Sequence, residues 1–388
     1  MNYIVISPEF PLNFIEFSVS LKKVGINVLG IGQADYDHLP EVLKGALTEY
    51  YRVDSLEDYD AVLKAVAFLT FKYGKIHRLE SHNEHWLVQD ARLRTDFNIF
   101  GLKTEDMGRL KEKTSMKDIF AKANVPYIRG RVVKTGETAR EFIREVGYPV
   151  VAKPDSGVGA ANTYRLNNDE DLDAYLKTKP DVDYIMEEFI QGNIVTFDGL
   201  TDRDGKIVFI NSFWFKNGIM ELVNDGLDNI YYTERDIPSD IIEFGTRVVQ
   251  EAGLRERFFH LEFFRKADGK LVALELNVRP PGGSNTELFN YEHDFSVYDL
   301  YAETVANGHG GEGYRRKYYV AYLGLKDHTR RAHTRDEVIN YLGGRLLEHG
   351  VPYTMFSAVL GDYYYIFRTE DKTDLLQGIQ FVEEEAIR

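Results

Sequence analysis

The sequence predicts a chain of mixed α/β and α+β class, assembled from several units. At 388 residues it exceeds one ordinary compact domain. Its first thirty residues alternate strand, helix and strand, the start of a parallel sheet with crossover helices. Residues 258–283, FFHLEFFRKADGKLVALELNVRPPGG, read as two strands joined by a tight turn.

Along the chain, YIVIS (3–7) is a buried strand, 12–25 has a helical apolar period ending in glycine, and 26–32 is a second strand. A helix near 57–73, a strand near 76–80 and a helix over 81–97, with Ser81 as its expected cap, complete a first α/β domain over 1–105. The helix at 113–126 presents Met116, Ile119, Phe120 and Ala123 on one face and is stopped by Asn124 and Pro126. Strands and helices then alternate through a lobe of about 126–190, by rough boundary reading. Strands dominate 194–216, a helix covers about 239–252, and the hairpin follows, closing a second unit over 106–310. The tail, 311–388, reads as a small α+β domain.

Composition narrows the function. Net charge is −15, from 47 basic and 62 acidic residues. Nucleic-acid binders usually carry a basic face, so no nucleic-acid partner is expected. The chain has no cysteine, which excludes disulfides, thiolate metal sites and a cysteine nucleophile. The N-terminus lacks a basic region followed by a long apolar run, and no apolar run approaches the roughly 20 residues needed to span a bilayer. A cytoplasmic protein with no membrane partner is expected.

The hairpin raises a chemical question. If Asp268-Gly269 is a two-residue loop, Ala267 faces Lys270, Glu262 faces Glu275, and His260 faces Asn277. Facing residues have Cβ atoms roughly 4.5–5.5 Å apart, so the two carboxylates repel unless a proton or cation lies between them. Three readings follow. One is an oxygen-rich Mg²⁺ or Mn²⁺ site of Glu262, Glu275 and Asn277. The second is a carboxyl pair with one raised pKa, and the third is two ordinary glutamates on a solvated face.

Two further stretches carry chemistry. In VVAKPDSGVGAANTYRL (150–166), Lys153 ends a strand and a loop with Ser156, Gly157 and Gly159 follows. Such a loop exposes N–H groups to a phosphate, or is simply a turn. It is neither a P-loop nor a dinucleotide fingerprint. In IMEEFIQG (185–192), an apolar strand runs into Glu187, Glu188, Phe189 and Ile190. Backbone groups there suit an adenine edge and the apolar side chains suit its ring, although the glutamates alone are commoner on a surface.

The ordered set resembles the ATP-grasp superfamily, whose members clamp ATP between two α+β lobes. The resemblance covers about 105–310 and rests on order, since no single motif is specific; it likens the opening domain, 1–105, to the family's leading Rossmann-like domain. It implies ATP and Mg²⁺ (or Mn²⁺) as cofactors. It likens Lys113 and Lys153 to the phosphate-contacting lysines, Ser156 to Ala160 to the phosphate loop, and Glu187 to Ile190 to the adenine connector. Glu262, Glu275 and Asn277 resemble the metal ligands, and Arg279 the arginine beside the reacting group. One position departs: where members often carry a ribose-binding acid, this chain has Ile194. RPPGGS (279–284) suggests an anion-binding corner for a carboxylate substrate through Gly282 and Gly283, or a rigid turn. Glu84 and Arg92 lie in and beyond a loop after a first-domain strand, where open sheets bind ligands, and are candidate substrate contacts; core or surface roles are equally compatible.

The function implied is an ATP-dependent carboxylate–amine ligase. Such an enzyme activates a small amino-acid or peptide-like carboxylate as an acyl-phosphate, with Arg279 and Lys153 catalytic, and releases ADP and phosphate. A bicarbonate-using enzyme of the biotin-carboxylase kind and a non-catalytic nucleotide-binding regulator are the alternatives. A homodimer is compatible with the composition, and no residue pattern demonstrates one.

Overall fold

The computed structural model describes residues 1–155, 162–311 and 313–386. The N-terminal unit is a parallel sheet of β1 (Asn2–Ile6), β2 (Asn27–Gly32), β3 (Glu49–Arg52) and β4 (Arg78–Glu80), ordered β3-β2-β1-β4. Ile4, Ile6, Leu29 and Ile31 pack on Val62, Ala65, Val66 and Leu69 of the helix Tyr59–Tyr73. That helix starts where Asp58 accepts from the N–H groups of Asp60 and Ala61.

The helix expected from Ser81 begins instead at Leu87. Ser81 does not cap it. Its N–H and hydroxyl both donate to Asp90, at 2.9 and 2.6 Å, one turn inside the helix. Residues 81–86 therefore form a loop at the C-terminal end of the parallel sheet, where ligands bind in open α/β folds.

A second sheet holds β5 (Gly130–Val132), β6 (Val150–Pro154), β7 (Tyr164–Leu166) and β8 (Tyr184–Glu188) in the order β5-β8-β6-β7. Helices Gly136–Val146 and Asp169–Thr178 bury Phe142, Leu172 and Tyr175 against it. These elements run from Gly130 to Glu188.

The third sheet is the largest. It comprises β9 (Asn193–Thr201), β10 (Ile207–Asn211), β11 (Phe213–Phe215), β12 (Asn229–Thr233), β13 (Phe258–Arg265), β14 (Leu271–Asn277), β15 (Tyr319–Leu325), β16 (Leu346–Gly350) and β17 (Tyr363–Thr369). Its order is β14-β13-β9-β11-β12-β15-β17-β16, with β10 beside β9. The tail therefore shares a sheet with the preceding unit, because β15 pairs with β12. The helix Ser239–Ala252 crosses β9 closely: a Cβ on Gly245 would lie 2.1 Å from the Phe197 ring. Among the described residues no helix is long and apolar enough to cross a membrane.

The hairpin differs from expectation in a specific way. Its loop has three residues, not two: Lys266 pairs with Lys270, and Gly269 takes the left-handed conformation at φ 83°. That shifts the register by one, so Phe263 faces Ala273. A bulge at Leu274 then shifts it back, and Glu262 faces Glu275 as expected.

Candidate active site

The outer face of β13 and β14 is polar because the inner face is not. Leu261, Phe263, Ala273 and Leu276 enter the central core, so His260, Glu262, Glu275 and Asn277 share the opposite face. His260 also faces Asp198 on β9. Its Nδ1 lies 2.5 Å from Asp198 Oδ1 and its Nε2 lies 3.1 Å from Glu262 Oε1. Burial alone would lower the histidine's pKa. The Asp198 charge and the hydrogen bonds to both carboxylates outweigh burial and raise it to about 9. Burial opposes ionisation of Glu262, but His260, Arg279 and Lys153 hold its carboxyl below the ordinary glutamate range.

Cationic side chains reach this face from two other elements. Lys113 opens the helix Lys113–Lys122, and its Nζ lies 3.3 Å from Glu275. Residue 155, just past β6, satisfies that helix's first donors: Asp155 O accepts from Lys113 N, and its carboxylate accepts from Thr114 N and Oγ1. The helix start is thereby fixed to the strand carrying Lys153. Lys153 Nζ lies 2.7 Å from Glu187 Oε2, and Lys117 Nζ lies 2.8 Å from Glu187 Oε1. Burial would lower the Lys153 pKa, but Glu187 and then Glu275 raise it above the ordinary lysine range.

Lys117 was not among the expected residues. Its position four residues after Lys113, on the same helical face, is the available signal. It also donates to Ile128 O at 2.9 Å. The Glu187 side chain is buried between the two ammonium groups, which outweigh its desolvation and hold its pKa low. Glu188 is bound by Arg129, whose Nη2 lies 2.6 Å from Oε2. The two carboxylates of the connector thus serve lysine and arginine partners. Phe189 lies beneath Arg165, 4.2 Å from its ring centroid, and Ile190 is half-buried. Ile194 sits on β9 opposite Phe264, an apolar setting. Ser156, Gly157 and Gly159 lie outside the described residues.

Arg279 and Glu84 come together from distant parts of the chain. Arg279 Nε lies 3.2 Å from Glu84 Oε2, and Lys111 Nζ lies 2.9 Å from Glu84 Oε1. Burial raises the Glu84 pKa; Arg279 and Lys111 outweigh it and keep the carboxylate ionised. The loop bearing Glu84 thus touches the end of the glutamate hairpin. Arg92 is not brought to this cluster. It is exposed, 3.6 Å over the Tyr59 ring. Gly282 and Gly283 lead into the helix Asn285–His293, with Gly283 at φ 64° and its carbonyl accepting from Asn13 Nδ2 at 3.2 Å.

Comparison with known proteins places this geometry. Residues 146–287, from the last residue of the helix Gly136–Val146 through the hairpin and beyond, match the sequence model of the ATP-grasp domain. The chain carries an ATP-grasp domain. The L-arginine-specific L-amino acid ligase of Bacillus subtilis is 23% identical over 258 residues, 64% of this chain. That match spans 62% of the relative, less than two thirds of its length. The crystal structure of an L-amino acid ligase from Bacillus licheniformis superposes with TM-score 0.74 at 16% identity, covering 99% of this chain and 97% of that one. N5-carboxyaminoimidazole synthetase from Staphylococcus aureus gives 0.72 at 14%, covering 98% and 96%. The biotin carboxylase domain of Hydrogenobacter thermophilus 2-oxoglutarate carboxylase, solved with MgADP, ADP and bicarbonate, gives 0.70 at 16%, covering 100% and 90%. The structural likenesses extend over 98–100% of the chain and establish that it shares the fold of these proteins.

Proposed function

We propose that this ATP-grasp protein is an ATP-dependent carboxylate–amine ligase acting on an amino acid or a peptide-like carboxylate. The observation that carries the reading is the facing pair Glu262 and Glu275, met by Lys113 from one element and by the Lys153–Glu187 pair from another. Two half-buried carboxylates bordered by phosphate-seeking cations suit a polyphosphate bound through a divalent ion.

The residues fit Mg²⁺. Glu262, Glu275 and Asn277 are oxygen donors on one rigid face, and Mg²⁺ is usually held by one or two carboxylates together with substrate phosphates. Among the described residues, no three His, Cys, Asp or Glu side chains are grouped to hold an ion by themselves. Bound there, Mg²⁺ neutralises charge on the transferring phosphoryl group.

In the proposed reaction a carboxylate oxygen of the substrate attacks the γ-phosphorus of ATP, and the bond from that phosphorus to the bridging oxygen of ADP breaks. The amine nitrogen then attacks the acyl carbon, phosphate departs, and the nitrogen loses a proton. Lys153 and Lys113 stabilise charge spreading over the phosphoryl oxygens. Arg279, fixed by Glu84, orients the acyl-phosphate. His260 holds Glu262 in place through its second nitrogen. The connector Glu187–Ile190 offers backbone groups to adenine, Glu187 and Glu188 being occupied by their cations. Gly282 and Gly283 lie beside Arg279 in sequence and suit a substrate carboxylate.

The test is release of ADP and phosphate with ATP and Mg²⁺ over a panel of single and paired amino acids, small carboxylates and bicarbonate. Turnover requiring a carboxylate–amine pair and lost in Glu275→Gln supports the ligase. Turnover requiring bicarbonate with biotin replaces it with the carboxylase reading, and failure of every acceptor to raise turnover above that of Glu275→Gln favours a nucleotide-binding regulator.

A further inference from the structure

A second charged site lies at the opposite end of β4 from Glu84. A cavity of about 530 Å³ is bordered by Lys75, His77, Arg78, Lys103, Arg109 and Arg255, with Asp106 as the one carboxylate in its lining. Such a volume is typical of a small-molecule site. In a chain of net charge −15, this gathering of cations is a local reversal of sign. None of the residues discussed for ATP chemistry lines it. Substrate crevices of open α/β sheets lie at the C-terminal ends of strands, whereas Lys75, His77 and Arg78 sit at the start of β4.

Part of the charge is committed to the fold. Arg78 pairs with Glu256, its Nη2 2.9 Å from Oε2. Lys103 donates to Arg94 O and Ile99 O, and Arg109 Nη2 donates to Ala252 O at 2.9 Å. Arg94 and Ala252 stand in the last turns of their helices, whose carbonyl ends attract cations. These bonds hold the inner cations in place. Lys75 and Arg255 are exposed, and neither has an ion-pair partner among the described residues. Burial, the Met1 ammonium, Lys75 and Arg78 all lower the pKa of His77, as a positive field requires. The Phe100 ring, 4.2 Å from the Arg78 guanidinium, supplies an apolar wall.

We propose that this cavity binds a small anion bearing at least two phosphate charges, with fixed inner cations and with Lys75 and Arg255 closing on it from outside. The lining comes from both the N-terminal unit and the helix-bearing central unit, so an occupant would bridge them and raise thermal stability by mass action.

The probe is inorganic pyrophosphate, titrated calorimetrically into the full chain without Mg²⁺. The Lys153→Ala background removes the phosphate-facing lysine of the ATP site, and Lys75→Glu with Arg255→Glu is added to it. We expect Lys153→Ala to bind pyrophosphate, with affinity falling as salt rises, and the added pair to weaken binding about tenfold or more. Equal affinity in the two proteins, or no binding by Lys153→Ala at millimolar pyrophosphate, would overturn the proposal. If Lys153→Ala does not fold, the same comparison on the wild-type background with excess ADP gives the same two outcomes.

Discussion

Replacing Glu187 by Gln removes the negative charge from between two buried ammonium groups. The contacts are 2.7 Å to Lys153 and 2.8 Å to Lys117. At an effective dielectric near 20, each attraction is about 6 kcal/mol before desolvation is subtracted. Most of that is cancelled by burial, and the cost of breaking such a pair is about 3–5 kcal/mol, because the partner charge is left uncompensated. The amide oxygen keeps one hydrogen bond, so the lower end, about 3 kcal/mol, is expected. At about 2.1 cal/mol/K per residue, that corresponds to a drop in Tm of about 4 °C for a chain of 388 residues. The pH dependence has a definite sign. The Glu187 pKa is lowered by folding, so in the wild type its contribution is present above the ordinary glutamate value of 4.5 and is lost as pH falls through the folded value. In Glu187→Gln the burial of Lys153 is opposed only by the charges of Glu275 and Glu262, so the deficit should shrink toward alkaline pH. Thermal unfolding of the wild type, E187Q and E187Q/K117M at pH 5, 7 and 9 tests this. The double variant removes one orphaned cation and should recover about half the loss, on the same estimate. A deficit for E187Q under about 1 kcal/mol, or a double variant no more stable than the single, would refute the placement of Glu187 as the shared counter-ion.

Further outcomes follow from other parts of the molecule. Glu262→Gln and Glu275→Gln should each lower ATP turnover by about a hundredfold or more while leaving the fold intact, judged by ADP release and circular dichroism. Arg279→Lys keeps the charge but loses the planar fork that reaches Glu84, so kcat should fall with the salt bridge only partly replaced, measured by steady-state kinetics. Burial raises the Glu292 pKa to about 8. Wild-type stability should therefore fall as pH climbs from 4.5 to 8, and this part of the fall should vanish in Glu292→Gln, measured by urea unfolding at pH 5 and 8.5. Gly245→Ala ordinarily favours a helix, but here the methyl would meet Phe197 at 2.1 Å, so it should destabilise by about 1–3 kcal/mol in the same assay.

Local pattern carried much of the architecture. The apolar face Met116, Ile119, Phe120 and Ala123 is buried as read, and Asn124 ends that helix in a left-handed conformation at φ 53°. The pairing of Glu262 with Glu275 was legible for a reason only half right, since a longer turn and a bulge compensate each other. Neither is marked by residues that differ from a regular hairpin. Glu84 meeting Arg279 depends on how the first unit docks on the third sheet, and no local signal fixes that docking. Lys117 resembles any surface lysine until Glu187 arrives from β8. The helix Val297–Asn307 escaped because Val297, Tyr298, Leu300, Tyr301, Ala302 and Thr304 are all buried, which leaves little polar stripe to reveal a helical period. The tail's own alternation of strands and helices was readable, but its membership of the central sheet was not, because strand partners are chosen by long-range contacts.

That shared sheet has a consequence for how the chain is made. β12 waits for β15 as its outer neighbour, and β15 in turn for β17. During synthesis at about 5–20 residues per second, the β12 edge emerges several seconds before Tyr319–Leu325 can cover it. Its sequence, NIYYT, is the kind of β-branched and aromatic edge that pairs readily with other chains. The ribosome thus releases the outer strands of the third sheet late. Yield in a cell should depend on what shields that edge in the interval, and a chain cut before residue 319 would carry the exposed edge permanently.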